Sequence, residues 1–178
     1  MIPVVMTVLL LLVPAVAGAQ MFELHGSAGP TVTDAGHSLA AGVGFSPASR
    51  VTFLVDVERT HLSTRVQTDA RGSISTFRGG TVTLGAVALR VSLFGRDRIG
   101  PYILAGLAAG VSQPNVTPTF PSRVTNGVRA PFLGGGLQVP INDRLSVFAD
   151  GRMMLVVGTE ADELFAVAPI RAGVAWRF

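Results

Sequence analysis

Apolar and polar residues alternate along most of the chain after the apolar segment at its beginning. Every odd position from Val51 to Val57 is apolar, whereas Asp56 and Glu58 lie at even positions. Side chains two residues apart share one face of a β-strand. A carboxylate is costly to place in hydrocarbon, so we expect the acidic face to line an interior. An apolar outer face and a polar inner face are typical of transmembrane β-barrel strands.

Charged residues keep a single parity within each of the other strands that carry them. We predict that eight charged side chains, four acidic and four basic, face the lumen: Glu23, Asp56, Glu58, Arg90, Asp150, Arg152, Arg171 and Arg177. The interior of an eight-stranded barrel is about wide enough for its own side chains. We therefore favour a lumen that is plugged by salt bridges, and a gated ion path is the alternative.

Short polar segments divide the chain at 46–50, 95–98 and 140–144. Each ends in an arginine followed by an aliphatic residue, and longer polar stretches lie between them at 31–36, 60–76, 112–129 and 158–163. Short turns at one end and longer loops at the other are typical of outer-membrane barrels. The predicted fold class is all-β, an eight-stranded antiparallel up-and-down transmembrane barrel. Its strands lie near 21–30, 37–45, 51–59, 78–93, 101–111, 130–139, 145–157 and 165–178.

The chain begins with an apolar segment that ends in the small residues Ala17, Gly18 and Ala19. This pattern is typical of a secretory signal peptide. We predict a signal over residues 1–19, cleaved after Ala19 on export through the Sec pathway, and one barrel domain over 20–178. No basic residue precedes the apolar core. Either the true start codon lies upstream or the α-amino group alone supplies the positive charge.

The composition excludes several classes of function. The chain has no cysteine, so thiol catalysis and cysteine-ligated metals are ruled out. Its formal net charge is only +3 and the basic residues form no stripe, which argues against nucleic-acid binding. His25 and His37 lack partners at metal-ligand spacing. We predict no cofactor, no metal site and no catalytic residue.

The ending Pro169–Phe178 resembles the C-terminal signature of outer-membrane β-barrels, in which a terminal Phe follows alternating apolar residues. The segment Gly100–Gly106 is similar to the Pro-Tyr strand of small OmpA-type barrels. The resemblance implies a barrel of the outer membrane, surrounded by its lipids and without the periplasmic domain of larger members. It also implies that the β-barrel assembly machinery recognises the last strand, and we expect this machinery and periplasmic chaperones as partners. The assembly signal would comprise Val174, Trp176 and Phe178, and we expect a monomer.

Three functions follow from this picture. The first is a structural or surface-interaction role, with loops that meet the outside. The second is a narrow channel or transporter for small or apolar solutes. The third, the least favoured, is a lipid A-modifying enzyme, because His61-Leu62-Ser63 resembles the His-x-Ser pair of the outer-membrane lipid A deacylases. Asp56 or Glu58 would be its acidic partner, although one short pair in a polar loop is a common accident.

Overall fold

The computed structural model describes residues 22–32, 35–68, 74–77, 79–118, 124–158 and 164–178. The predicted signal peptide and its cleavage site lie outside these residues. Among the residues described, no helix has the length and apolar character to cross a membrane. The strands are β1 (Phe22–Thr31), β2 (Gly36–Ala48), β3 (Val51–Leu62), β4 (Arg65–Thr68), β5 (Ile74–Phe77), β6 (Gly80–Ser92), β7 (Gly100–Pro114), β8 (Asn126–Pro140), β9 (Leu145–Gly158), β10 (Leu164–Val167) and β11 (Ile170–Arg177).

The sheet closes on itself as an antiparallel barrel. Neighbouring strands follow the chain from β1 through β2, β3, β6, β7, β8 and β9, and β10 and β11 both pair with β9. β11 then pairs with β1, where Leu24 lies opposite Trp176. Counting β10 and β11 as one barrel strand gives eight, which confirms the predicted fold class. The pairing of β11 with β1 joins the first and last strands of the described sheet, as a barrel in hydrocarbon requires.

The last barrel strand, predicted as continuous, is divided at Ala168 and Pro169. A proline has no backbone N–H to donate to a ladder, which accounts for the interruption. The register with β9 is the same on both sides, because Val167 lies opposite Met154 and Ile170 lies opposite Gly151. The backbone N–H of Arg152 still donates to the carbonyl of Pro169 at 3.1 Å. The break therefore changes the local hydrogen bonding and leaves the strand in place.

The short connections are 49–50, 93–99 and 141–144, where the sequence predicts turns. In the last of these, the Asn142 side chain accepts hydrogen bonds from the backbone N–H groups of Arg144 and Leu145. The longer loops are shorter than predicted, since β7 continues to Pro114 and β8 begins at Asn126. The predicted loop 60–76 holds a hairpin of β4 and β5, which form a separate sheet. The sequence predicts only a long polar loop here, whereas backbone pairing from Arg65↔Phe77 to Thr68↔Ile74 makes it a hairpin.

The outer face of the barrel is apolar over a wide band. Val57, Leu107 and Met153 are each more than 60% exposed, and they lie on three different strands. Soluble proteins do not expose apolar patches that extend around the whole molecule. The other exposed large apolar side chains of this band include Leu24, Val55, Val87, Leu89, Leu133, Leu155 and Val174.

The core of the molecule is the lumen. Apolar side chains from β3 and from β6 to β10 fill its half nearest the longer loops, and Leu54 extends this cluster past Asp56 toward the short turns. Leu62 lies four residues beyond Glu58 in the direction of these loops, and Val156 lies four beyond Arg152. Buried polar pairs occupy the end nearest the short turns, where Gln138 donates to Ser146 at 3.0 Å. A charged layer lies between the two.

Candidate functional site

All eight side chains that we predict to face the lumen are buried. β1, β3, β6, β9 and β11 supply them. The alternation of each strand places them on the inner face, and closure of the sheet brings together residues that are far apart in sequence. Glu23 and Arg90, for example, are 67 residues apart and in direct contact. The set comprises Glu23, Asp56, Glu58, Arg90, Asp150, Arg152, Arg171 and Arg177.

Glu23 and Arg90 form an ion pair inside the barrel, between the first strand and β6. One terminal nitrogen of Arg90 donates to both carboxylate oxygens of Glu23, each at 2.8 Å. The same nitrogen lies 3.4 Å from the hydroxyl of Thr52. The guanidinium also lies 5.7 Å from the centre of the Tyr102 ring, within the range of a cation–π contact. The geometry is that of a buried ion pair packed on all sides.

Arg171 joins two acidic residues from opposite parts of the chain. Its guanidinium donates to Glu58 at 3.0 Å and to Asp150 at 3.1 Å and 3.2 Å. Glu58 also accepts hydrogen bonds from the hydroxyls of Ser38 at 2.8 Å and Thr60 at 3.2 Å. A charged pair this deeply buried is stable only if the remaining lone pairs and protons are satisfied. Most of the hydrogen-bonding capacity of Glu58 is used in this way.

Asp56 lies between Arg152 and a residue that sequence reasoning left out of the network. Arg152 donates to one of its oxygens at 3.2 Å, and the other oxygen is 2.7 Å from Nε2 of His25. Nδ1 of His25 lies 3.9 Å from Glu23. The signal for this was present, because His25 has the same parity as Glu23 on β1.

Arg177 does not take part in the central network. It donates to Asp97 at 2.8 Å and to the backbone carbonyl of Arg96 at 2.6 Å, and both belong to the turn between β6 and β7. We had expected four acidic and four basic groups to neutralise one another in the lumen. The central network instead contains four carboxylates, three arginines and His25. Arg177 is missing from the central network because the turn that holds Arg96 and Asp97 lies close to it at the mouth of the barrel. The alternation of the sequence does not show this proximity.

Little free space remains around these groups. A cavity of about 10 Å³ lies between His25, Arg90, Tyr102, Phe148 and Arg152. This is close to the smallest volume that holds one water molecule. Among the described residues, Nδ1 of His25 and Nε of Arg90 and Arg152 have no hydrogen-bond partner. The arrangement provides ion pairing and packing.

Known proteins resemble this chain in structure but not in sequence. No protein-family model matches the sequence, and no curated protein does. Solved structures do match. The chain aligns over 91% of its length with all of the N-terminal β-barrel domain of Pseudomonas aeruginosa OprF, at 14% identity and a TM-score of 0.63. Neisserial surface protein A aligns with the same coverage and identity and a TM-score of 0.67.

A third match is Ail, the attachment invasion locus protein of Yersinia pestis, in complex with the heparin analogue sucrose octasulfate. It shares 12% identity, the alignment covers 88% of this chain and 98% of that one, and the TM-score is 0.52. The chain has the fold of the small outer-membrane β-barrels. At these identities the likeness is one of fold, and the loops and lumen residues must be considered on this chain's own contacts.

Within this barrel fold, the His61-x-Ser63 pair is not arranged for catalysis. His61 is exposed on the outer face of β3, whereas Asp56 and Glu58 point into the lumen. The hydroxyl of Ser63 donates to the backbone carbonyl of Ala35 at 2.6 Å. His61 packs beside His37, with ring centres 5.3 Å apart. The acidic partners that the resemblance required are therefore on the opposite side of the strand.

The predicted assembly residues lie on the outer face of β11 and at the chain end. Val174, Trp176 and Phe178 are about half exposed. Phe178 exchanges backbone hydrogen bonds with Phe22 at 3.0 Å and 3.4 Å, and the two rings are stacked with centres 6.3 Å apart. The last residue of the chain therefore helps to close the barrel. Within the described residues there is no cluster of three or more His, Asp or Glu that could hold a metal ion.

Proposed function

We propose that this protein is an integral outer-membrane barrel with a structural or surface-interaction role and a closed lumen. The observation that carries the proposal is the inversion of an ordinary soluble fold. Ion pairs such as Glu23–Arg90 are buried inside, whereas Val57, Leu107 and Met153 are exposed outside. Burying charge and exposing apolar surface stabilises a fold only where the surroundings are apolar.

The closed lumen favours this role over the alternative of a narrow channel. A conducting pore needs a continuous polar path. Here Arg152 and Arg171 are held by Asp56, Glu58 and Asp150, and apolar residues pack between this layer and the longer loops. Moving an ion through the lumen would require several of these ion pairs to separate at once. We propose no catalytic role, because the exposed His61 lies on the opposite face of β3 from Asp56 and Glu58, the carboxylates that would have to orient it.

Orientation, export and assembly complete the proposal. The short turns would face the periplasm and the longer loops the cell exterior, as in other barrels of this type. The signal peptide would be removed after Ala19. The assembly machinery and periplasmic chaperones would act on the strand that ends in Phe178. The segment between β3 and β6, with its β4–β5 hairpin, would be the main surface available to partners outside the cell.

The test combines localisation with conductance. The expressed protein should fractionate with outer membranes and migrate differently on gels when it is not boiled. Purified and inserted into planar bilayers, it should show no steady, ion-selective current. Insertion is verified independently by protease protection in vesicles made from the same preparation. Stable conductance from verified insertions would replace this proposal with the channel, and a lipid A mass shift on expression would replace it with the enzyme.

A further inference from the structure

A groove crosses the outer face of the barrel between β3 and β8. Its volume is about 500 Å³, and its lining is almost entirely apolar. Val57, Val87 and Leu107 form exposed walls. Gly85 and Ala109 form the floor, since they are adjacent in the register and lie between Val57 on β3 and Arg129 on β8. Small side chains flanked by larger ones on the outer face make the concavity.

Arg129 lines this groove, and Arg59 lies two residues beyond the lining residue Val57 on the same outer face of β3. Arg59 is exposed on β3, three residues before Leu62, and Arg129 is exposed on β8, three residues after Asn126. Each is therefore close to the longer-loop end of its strand. Among the strand residues whose side chains the structure describes, these two are the charged side chains that face outward. Within that part of the chain, neither guanidinium makes a hydrogen bond or an ion pair.

An unpaired arginine on a lipid-facing surface can bind an anionic lipid headgroup where it reaches the membrane interface. The cost of an outward-facing arginine is highest at the bilayer midplane and becomes small near the interface. A guanidinium binds phosphate in a bidentate geometry, which makes phosphate the group that it recognises best. Arg59 and Arg129 are separated by three strand-to-strand steps, which places them on the order of 15 Å apart. One headgroup that contacts both must carry two anionic groups.

We infer that this groove, the Arg59–Arg129 groove, binds the diphosphorylated glycolipid of the outer leaflet, lipid A. Arg59 and Arg129 would each hold one phosphate, and an acyl chain would lie between Val57, Val87 and Leu107 over Gly85. This inference rests on the proposed outer-membrane location and orientation. A second copy of the chain is a poorer occupant, because a two-fold interface through the groove would bring the same unpaired cations together.

The first experiment removes the cations. Folded protein in detergent is titrated with diphosphorylated lipid A and binding is measured by native mass spectrometry. The double variant Arg59→Gln/Arg129→Gln should bind at least about tenfold more weakly, a loss of ~1.4 kcal/mol. The matched control is Arg98→Gln/Arg144→Gln, which removes two exposed arginines at the short-turn end and should bind like the wild type. Equal binding by both double variants would overturn the inference.

The second experiment fills the groove. A Cβ added at Gly85 meets only the Ala109 carbonyl oxygen, at 3.9 Å, so Gly85→Leu fits the strand and projects into the groove. Gly151→Leu is the control, because a Cβ there meets nothing within 4 Å and Gly151 lies outside the groove. Gly85→Leu should weaken lipid A binding several-fold, and Gly151→Leu should leave it unchanged. The same loss with both variants would contradict a specific groove.

A third measurement identifies the lipid. Binding should fall for monophosphorylated lipid A and fall further for phosphatidylglycerol, which has one phosphate. Equal affinity for phosphatidylglycerol and diphosphorylated lipid A would overturn the choice of ligand. Each variant must keep its heat-modifiable gel mobility, so that unfolding is not read as lost binding. A protein that folds and fractionates with outer membranes but does not bind lipid A contradicts this inference alone, and the proposed function stands.

Discussion

Arg177 and Asp97 are 80 residues apart in sequence and are joined by a hydrogen bond of 2.8 Å. The pair connects the last strand of the barrel to the turn between β6 and β7, at the end where the short turns lie. The Arg177 side chain is 2% exposed, whereas that of Asp97 is 70% exposed. The two ends of this contact are therefore in very different environments, and they should respond differently to substitution.

We expect Asp97→Asn to lower the free energy of unfolding by less than about 1 kcal/mol, because water screens an exposed carboxylate. Arg177→Met removes two hydrogen bonds, one to Asp97 and one to the Arg96 carbonyl, and should cost about 2 kcal/mol. Urea titration of the barrel folded into lipid vesicles measures both changes. If Asp97→Asn proves as costly as Arg177→Met, the contact contributes as a buried ion pair and our assignment of its environment is wrong.

Arg171 is the cation whose loss should destabilise the barrel most. It holds Glu58 and Asp150 together in a fully buried position, so Arg171→Met leaves two carboxylates without their main partner. We expect a loss on the order of 3–5 kcal/mol. The double variant Arg171→Met/Glu58→Gln should recover part of the lost stability, because it also removes one of the two unpaired negative charges. An exposed control, Arg98→Met, should change stability by less than about 0.5 kcal/mol.

Substitutions at Val55 and Arg90 probe the outer face of β3 and the inner face of β6, which are adjacent strands. Val55 is 48% exposed on the outer face of β3, so Val55→Arg should cost roughly 2–4 kcal/mol near the bilayer midplane. Arg90→Val leaves the buried carboxylate of Glu23 without its ion-pair partner. It should lower the free energy of unfolding by up to ~3–5 kcal/mol, or by less if water reaches the carboxylate. Folding titrations into vesicles give both values. Normal folding of Val55→Arg would mean that this face of β3 does not contact hydrocarbon.

Deletion of Trp176 to Phe178 should prevent assembly. Trp176 pairs with Leu24 and Leu145, and Phe178 exchanges backbone hydrogen bonds with Phe22, so the deletion opens the seam between the first and last strands. The truncated protein should be degraded or retained in the periplasm. Immunoblots of outer-membrane fractions measure the outcome, with Leu164→Ala as a control on the same barrel strand away from the chain end. Wild-type levels of the truncated protein in the outer membrane would contradict the assembly signal.

The mature protein should begin at Gln20. Small residues precede this position after an apolar core, which is what signal peptidase recognises. N-terminal sequencing of protein extracted from membranes gives the answer directly. Ala19→Leu should slow cleavage and leave a larger precursor, whereas Ala15→Leu should be processed normally because it lies within the apolar segment. A mature form that still begins at Met1 would contradict the predicted signal.

The sequence by itself determined the architecture and the direction in which the strand side chains point. A strand has a period of two residues, so Asp56 and Glu58 must share a face that excludes Val55 and Val57. Three short turns and the alternating segments between them then lead to eight strands. The boundaries were less accurate at the longer loops. There polar residues such as those of β7 beyond Val111 remain in the ladder, because pairing with a neighbouring strand satisfies the backbone whatever the side chains are.

Only the tertiary structure decided which charges meet. Parity assigns Arg90, Arg171 and Arg177 to the same inner face, but it does not say that Arg90 reaches Glu23 or that Arg177 turns to Asp97. Partners across the lumen depend on the tilt and stagger of the closed sheet, which bring residues from distant strands to one level. The Arg59–Arg129 groove has the same origin. Its floor exists because the register sets Gly85 beside Ala109, and no single strand contains that relationship.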